Sequence, residues 1–244
     1  MNKPLSNGLA LFLVALSPLV TFSQSQIVYD NLTTAANGGL AYPDAQNPVF
    51  GDTVNFTQAG LATSLYLSLW NPGFDGNSGN ITAGNTVVNF YDNSVPYSGG
   101  AISGTLLGAV SLPWNFAARG GLAVNAYVVN SFDLTTFNIN LTRHVLITQQ
   151  FHQTFGSSTE NGVVLFGNPT VGTSPTTLYL KTSIVAEGLY DNPSNPYQIG
   201  YRIVIQPISE PSIFNLLGLG LPIFLAGRRK SQMLNLKFPA ASSC

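Results

Sequence analysis

Short runs of alternating apolar and polar residues constrain the fold of this chain more than any other feature. In LATSLYLSLW (61–70), alternate positions of an extended strand put one set of residues on a single face: Leu61, Thr63, Leu65, Leu67 and Leu69. Similar runs, rich in Val, Ile, Thr, Tyr and Phe, occupy 86–92, 123–130, 144–151, 176–181 and 201–206. Such alternation indicates strands with one buried and one solvated face, as in antiparallel sheets.

Turn-forming sequences separate these runs, among them NPGFDGNSGN, VPYSGG, ENG, GNPTVG and YDNPSNPY. About ten strands of this kind fit between residues 26 and 209. The sequence therefore predicts one all-β domain at 26–209, an antiparallel β-sandwich with jelly-roll-like connections. A barrel is the main alternative.

The first 25 residues have the composition of a secretory signal peptide. Lys3 supplies a positive charge, residues 8–20 are apolar, and Ser23 and Ser25 are small residues at the spacing of a cleavage site. The apolar stretch is short for a membrane-spanning helix and contains Pro18. We therefore expect residues 1–25 to be removed on export.

The charge of the domain argues against one class of partner. Residues 26–210 carry ten acidic and four basic side chains, a formal net charge of −6. Four scattered cations do not neutralise a run of phosphates, so we expect no nucleic-acid binding. The only cysteine, Cys244, is the last residue, so no intramolecular disulfide can form, and we expect it to be incidental rather than an attachment point.

The segment EPSIFNLLGLGLPIFLAGRRK (210–230) places the most apolar run of the chain directly before three cations. Seventeen residues of helix would be roughly 26 Å long, which is marginal for a bilayer core of about 30 Å. Arg228, Arg229 and Lys230 resist translocation and would hold this end at the cytoplasmic side. We therefore expect a short transmembrane helix within 210–230 and a cytoplasmic tail at 231–244.

This arrangement resembles the PEP-CTERM sorting signal of exported bacterial proteins, in which a Pro-Glu-Pro motif precedes a short transmembrane helix and a basic end. Glu210 and Pro211 match the second and third motif positions, and Ser212 continues the frequent Glu-Pro-Ser form. Ser209 departs from the expected first proline, and the tail is longer than usual. The resemblance covers about 20 residues and implies processing by an exosortase-type membrane transpeptidase, with transient anchoring in the inner membrane and delivery to the envelope or outside the cell.

Catalytic motifs are weak in this sequence. GxSxG is absent, and His144 and His152, which would share a strand face, are too few for a zinc site. Most acidic residues lie beside Gly, Asn or Pro, where Asp forms turns, so a pair of glycosidase carboxylates is not expected. DGNSGN offers calcium a set of oxygen ligands at Asp75, Asn77 and Asn80, although a plain polar turn is the simpler interpretation.

Aromatic residues at strand ends and in loops are the candidates for carbohydrate contact. Sugar rings stack their apolar faces on exposed aromatic side chains, while Asn, Gln and Asp bind the hydroxyls. The candidates are Trp70, Trp114, Tyr190 and Tyr197. The alternative interpretation is that these rings close the ends of the hydrophobic core.

Together these features predict an exported, non-enzymatic protein of the cell surface or extracellular matrix with a structural or adhesive role and no cofactor beyond the possible calcium. The first alternative is a non-catalytic carbohydrate-binding module in contact with extracellular polysaccharide. The second is a secreted hydrolase with an unrecognised site. An exposed aromatic platform would favour the binding module, whereas paired carboxylates in a cleft would favour the hydrolase.

Overall fold

We analysed a computed structural model of the chain. It describes residues 24–70, 82–92, 102, 104–116, 127–155, 160–175, 177–185, 187–191 and 198–208. These residues lie within one compact unit, Gln24–Ile208. The predicted signal peptide and the predicted sorting segment lie almost entirely outside the described residues. None of the helices among the described residues has the length and apolar character needed to span a membrane.

The described residues are almost entirely strand and irregular structure, with two short 3-10 helices at Asp44–Gln46 and Thr135–Phe137. The strands are β1 (Gln26–Asp30), β2 (Ala36–Pro43), β3 (Val49–Asn55), β4 (Gly60–Trp70), β5 (Thr82–Asp92), β6 (Thr105–Phe116), β7 (Tyr127–Asp133), β8 (Asn140–Leu141), β9 (His144–Phe155), β10 (Glu160–Phe166), β11 (Thr177–Lys181), β12 (Gly188–Asp191), β13 (Gln198–Ile199) and β14 (Tyr201–Pro207). The all-β prediction is confirmed.

The described strands form two antiparallel sheets. The first follows the order β1-β14-β4-β10-β13, with β2 added on β10 and with β7 and β8 added on β4. The second follows the order β12-β11-β3-β9-β5-β6. Most neighbouring strands are distant in sequence, so the sheets are held by long-range pairing rather than by successive hairpins.

The inner faces of both sheets contribute to one hydrophobic core. Leu65, Leu67 and Leu69 of β4 are buried there, as their alternation predicts. From the second sheet come Phe50, Val88, Phe90 and Ile147. Burial of such side chains contributes about 25 cal/mol per Å² of apolar surface, which makes this shared core the main source of stability.

The prediction for the first part of β4 is wrong. Leu61 is partly exposed, whereas its neighbour Ala62 is fully buried. The register of β4 with β14 shifts between Val204 and Ile205, opposite Ser64 and Ala62. A β-bulge inserts one residue and moves every later side chain to the other face, so the inward set changes at this point.

The segment ENG, predicted as a turn, is instead the beginning of β10. Glu160, Asn161 and Gly162 pair with Pro43, Tyr42 and Ala41 of β2. Gly162 is needed in this strand because a β-carbon would lie 2.0 Å from the carbonyl oxygen of Leu40. Here glycine permits the close approach of two backbones rather than a turn.

Gly200 lies between β13 and β14, where the chain changes its partner from β10 to β4. Its N–H donates to the carbonyl of Val164 (3.0 Å), and its own carbonyl accepts from the N–H of Ser68 (3.1 Å). A β-carbon at this position would meet the ring of Phe166 at 2.4 Å and Oγ of Ser68 at 2.5 Å. A residue without a side chain therefore lets three strands meet next to the end of β4.

Candidate functional site

A cavity of about 380 Å³ lies on the first sheet near the end of β4. Its described lining is made of small and aromatic residues: Ala36, Gly38, Gly39, Trp70, Tyr127 and Val164. Trp70 pairs with Tyr127 of β7 on one side and with Gly162 of β10 on the other. Since Leu65, Leu67 and Leu69 face the core, Trp70 at the alternate position projects from the outer face of the sheet.

The indole of Trp70 packs against the backbone of Gly39 in β2, which fixes its position. A β-carbon on Gly39 would lie 2.3 to 2.7 Å from Cε3, Cζ3 and Cδ2 of the indole. The benzene half of the indole therefore rests against the Gly39 backbone, across the intervening strand β10. The contact leaves Trp70 half-buried, with part of its ring surface open at the cavity.

Tyr127 supplies the second aromatic wall and is also fixed by packing. Its ring meets the buried ring of Phe166 edge to face, with centroids 5.6 Å apart and an interplanar angle of 90°. Edge-to-face pairs of this kind are favourable and restrict the ring orientation. Tyr127 nevertheless remains 38% exposed, so its ring is both oriented and accessible.

The cavity offers apolar ring surface together with backbone hydrogen-bonding groups. Among the described strands, β2 pairs only with β10, so its other edge carries backbone N–H and C=O groups that point away from the sheet. Gly38 and Gly39 of this edge strand line the cavity. The described lining residues thus combine ring surface with backbone hydrogen-bonding groups.

Of the other predicted carbohydrate candidates, the structure places only the side chain of Trp114, and it does not join Trp70. Trp114 is 3% exposed and packs edge to face on Phe151, with centroids 6.3 Å apart, inside the core. It is a core residue and not a surface platform. The side chain of Tyr190 and all of Tyr197 lie outside the described residues.

Tyr127 is the residue that the sequence interpretation missed. It lies within AVNAYVVN, where alternation places it on the face opposite Val128. Its register position opposite Trp70 depends on the pairing of β4 with β7, which a single sequence does not specify.

The predicted calcium ligands Asp75, Asn77 and Asn80 lie outside the described residues. The residues of the predicted sorting signal also lie outside them: Glu210, Pro211, Ser212, Arg228, Arg229 and Lys230.

His144 and His152 share the outer face of β9 and are both exposed. Eight residues of strand separate them by about 26 Å, so they do not meet. His144 Nδ1 lies 2.7 Å from Oδ1 of Asn55, a contact between neighbouring strands. Within the described part of the chain, no group of three or more His, Cys, Asp or Glu side chains is placed to hold a metal ion.

Asp52 is an acidic residue that lies fully buried between the sheets. Burial raises the pKa of its carboxyl well above the ordinary value, although hydrogen bonds from Ser174 and from the N–H groups of Ile199 and Thr53 oppose this shift. Ser174 Oγ donates to Oδ1 at 2.9 Å. The sequence placed most acidic residues in turns, but Asp52 belongs to a core strand.

Two tyrosines share the surroundings of Asp52. Burial, followed by the negative charge of Asp52, raises the pKa of Tyr29 and of Tyr201 well above the ordinary value. The Tyr29 hydroxyl donates to Oε1 of Gln198 at 3.3 Å. This polar group is enclosed in the core and does not reach the Trp70 cavity.

Comparison with known proteins gives no family for this chain: no protein-family model matches it, and neither a curated protein nor a solved structure does.

Proposed function

We propose that this chain is an exported, non-enzymatic protein of the cell surface or extracellular matrix, whose adhesive role consists of binding carbohydrate at the Trp70–Tyr127 cavity. In this proposal the two sheets form a β-sandwich with jelly-roll-like connections that presents the cavity on one outer face. The proposal joins the structural or adhesive role expected from the sequence with its first alternative, a carbohydrate-binding module.

The observation that carries the proposal is the pair of oriented aromatic rings, Trp70 and Tyr127, at one cavity. Both are fixed by packing, Trp70 against Gly39 and Tyr127 against the buried Phe166, so little side-chain freedom is lost when a ligand binds. Pyranose rings have apolar faces that stack on such surfaces. Their hydroxyls can bind the backbone groups of the β2 edge that no other described strand pairs with.

The proposed location rests on the two ends of the sequence. A signal peptide at 1–25 would start export, and the segment 210–230 would pause in the inner membrane until an exosortase-type transpeptidase processes it. Both proposals are supported by composition and by the resemblance at Glu210, Pro211 and Ser212. Export would bring the cavity into contact with extracellular polysaccharide.

A co-sedimentation experiment tests the binding function. The purified protein is mixed with insoluble polysaccharides, such as cellulose, chitin and mannan, and the bound fraction is measured for wild type and Trp70→Ala. We expect the wild type to bind at least one of them and Trp70→Ala to lose about tenfold in affinity. His152→Ala, which removes an exposed ring from the other sheet, is the matched control and should bind like the wild type.

Mass spectrometry of the protein from envelope and medium fractions tests the sorting proposal separately. A new amino terminus near Gln26 and a carboxyl end between Ser209 and Pro211 would support export and processing. A mature protein that still carries residues 231–244 would contradict processing and indicate a retained anchor.

A further inference from the structure

The outer face of β4 and β7 continues beyond the cavity as a row of paired side chains. Register places Trp70 opposite Tyr127, Ser68 opposite Val129 and Tyr66 opposite Ser131. We call the surface formed by Trp70, Tyr127, Val129, Tyr66 and Ser131 the β4–β7 strip. We propose that the strip binds an extended, uncharged polysaccharide chain that runs along β4 from Trp70 to Tyr66, a proposal that rests on the carbohydrate-binding function above.

The length of the strip indicates a chain rather than a single sugar. Trp70 and Tyr66 lie four residues apart on the same face of β4, which corresponds to about 13 Å at ~3.3 Å per residue. This distance is longer than one pyranose ring. A ligand in contact with both aromatic side chains must therefore contain several linked sugars in an extended conformation.

Between the two aromatic residues, the exposed surface lies on β7 rather than on β4. Val129 is 41% exposed and Ser131 is also exposed, whereas Ser68 is buried and bonded to the carbonyl of Val164 (3.3 Å). Because Ser68 does not protrude, a ligand could lie along Val129 between Trp70 and Tyr66. The strip thus offers both apolar and hydroxyl-bearing side chains, which suits sugar rings that have apolar faces and hydroxyls.

Charges at the far end of the strip favour an uncharged ligand. The guanidinium of Arg202 lies 5.5 Å from the centroid of the Tyr66 ring, and its Nε and Nη2 contact Oδ2 of Asp30 at 3.0 and 2.9 Å. The positive charge of Arg202 is thereby balanced by a carboxylate. Asp133 is exposed on β7 beyond Ser131 and adds negative charge, which would repel a polyanion.

The ordering of the Arg202 side chain also suits a hydroxyl-rich ligand. The contact with Asp30 and the stacking on Tyr66 fix the guanidinium, and its side chain is 29% exposed. A guanidinium has five N–H donors, and two of its nitrogens face Asp30. Its remaining donors can bind sugar hydroxyls at the end of the strip.

Calorimetric titration with oligosaccharides of increasing length tests the proposal on the protein purified from its own host. The probes are uncharged β-linked glucose, mannose and galactose oligomers from disaccharide to hexasaccharide, with oligogalacturonates of equal length as the anionic series. We expect one uncharged series to gain about tenfold in affinity between the disaccharide and the hexasaccharide. The oligogalacturonates should bind more weakly at every length.

Four variants test which residues produce the increase in affinity with chain length. Tyr66→Ala should remove the increase in affinity with length and leave disaccharide affinity unchanged. Tyr66→Phe keeps the ring and should retain the increase. It therefore controls for a folding defect caused by substitution at this position. Trp70→Ala should weaken binding of every length, and His152→Ala should change nothing. Thermal unfolding of each variant is recorded in parallel.

The outcomes separate this inference from the binding function on which it rests. Equal affinity for all lengths, lost on Trp70→Ala, would overturn the extended strip and leave the cavity as a site for a single sugar or chain end. Tighter binding of oligogalacturonates would overturn the uncharged class. Absence of binding to every probe would overturn both proposals.

Discussion

The indole of Trp70 lies against the backbone of Gly39, and a β-carbon on Gly39 would be 2.3 Å from its Cε3 atom. The two residues belong to different strands that do not pair with each other; β10 lies between them. The orientation of the principal ring of the cavity therefore depends on the absence of a side chain two strands away.

Gly39→Ala should impair carbohydrate binding without a change in any aromatic residue. The added methyl group must displace the indole, because van der Waals contact requires more than 3 Å. We expect a loss of about tenfold in affinity and a loss of stability of about 1 kcal/mol, since Trp70 is only half-buried. Titration calorimetry and urea unfolding measure the two quantities. Unchanged affinity would show that the position of the indole does not matter for binding.

Trp114→Phe should lower the stability of the fold and leave carbohydrate affinity unchanged. Trp114 is buried against Phe151, so the smaller ring leaves unfilled volume in the core and should cost about 1–3 kcal/mol of unfolding free energy. Because the residue is buried and belongs to the second sheet, carbohydrate affinity of the folded variant should equal that of the wild type. A weaker affinity would indicate that Trp114 contributes to binding.

Gly200→Ala should destabilise the junction of β10, β13, β14 and β4. The methyl group would lie 2.4 Å from Cε2 of Phe166 and 2.5 Å from Oγ of Ser68, both of which are buried. Overpacking of this kind costs about 1–3 kcal/mol. Urea unfolding measures the loss, with the exposed Ser131→Ala as a control that should stay within about 0.5 kcal/mol of wild type.

The buried carboxyl of Asp52 should make stability depend on pH. Burial raises its pKa in the folded state above the unfolded value of about 3.9, so the folded protein binds this proton more tightly. Its contribution to stability is therefore complete below pH of about 4 and is lost as the pH rises towards the folded pKa. Asp52→Asn removes this titration and should gain stability relative to wild type as the pH increases.

Asp133→Asn is a control, because the contribution of Asp133 to stability changes with pH in the opposite direction to that of Asp52. Hydrogen bonds from the N–H and Oγ of Thr135 lower the pKa of Asp133, whose contribution is present above its unfolded pKa and is lost as the pH falls. Urea unfolding from about pH 2 to about pH 9 compares both variants with wild type, because Asp133 titrates in the acidic part of this range. If the difference between wild type and Asp52→Asn stays constant across this range, Asp52 does not titrate as its burial requires.

The strands with strict alternation could be predicted from the sequence, and the irregular ones could not. Leu65, Leu67 and Leu69 are buried as expected, because one continuous register links them. Leu61 departs from the pattern because the bulge opposite Val204 and Ile205 shifts the register. No residue type in β4 predicts this bulge. Register irregularities depend on the partner strand, which lies far away in sequence.

The other wrong predictions concerned a glycine and an aspartate. Gly162 and Asp52 are turn-forming residue types, yet one lies where two backbones approach closely and the other is buried in a core strand. Local propensity describes what these residues do when exposed, whereas here tertiary packing decides their position.

The candidate site was only partly predictable. Trp70 was singled out because it ends an alternating strand. Tyr127 joins it through strand pairing, and Gly39 joins it because both β2 and β4 pair with β10. Trp114 had the same local features as Trp70 but faces inward. Strand pairing and the choice of face, rather than composition, separate the two tryptophans.

Because the chain has two tryptophans, Trp114→Phe leaves Trp70 as the only indole, and its fluorescence reports directly on the proposed site. The decisive measurement is a titration of this variant with the uncharged oligosaccharide that binds most tightly. We predict a saturable change in the emission of Trp70, with the same dissociation constant as calorimetry gives. Emission that stays constant while calorimetry detects binding would place the ligand elsewhere and contradict the Trp70–Tyr127 site.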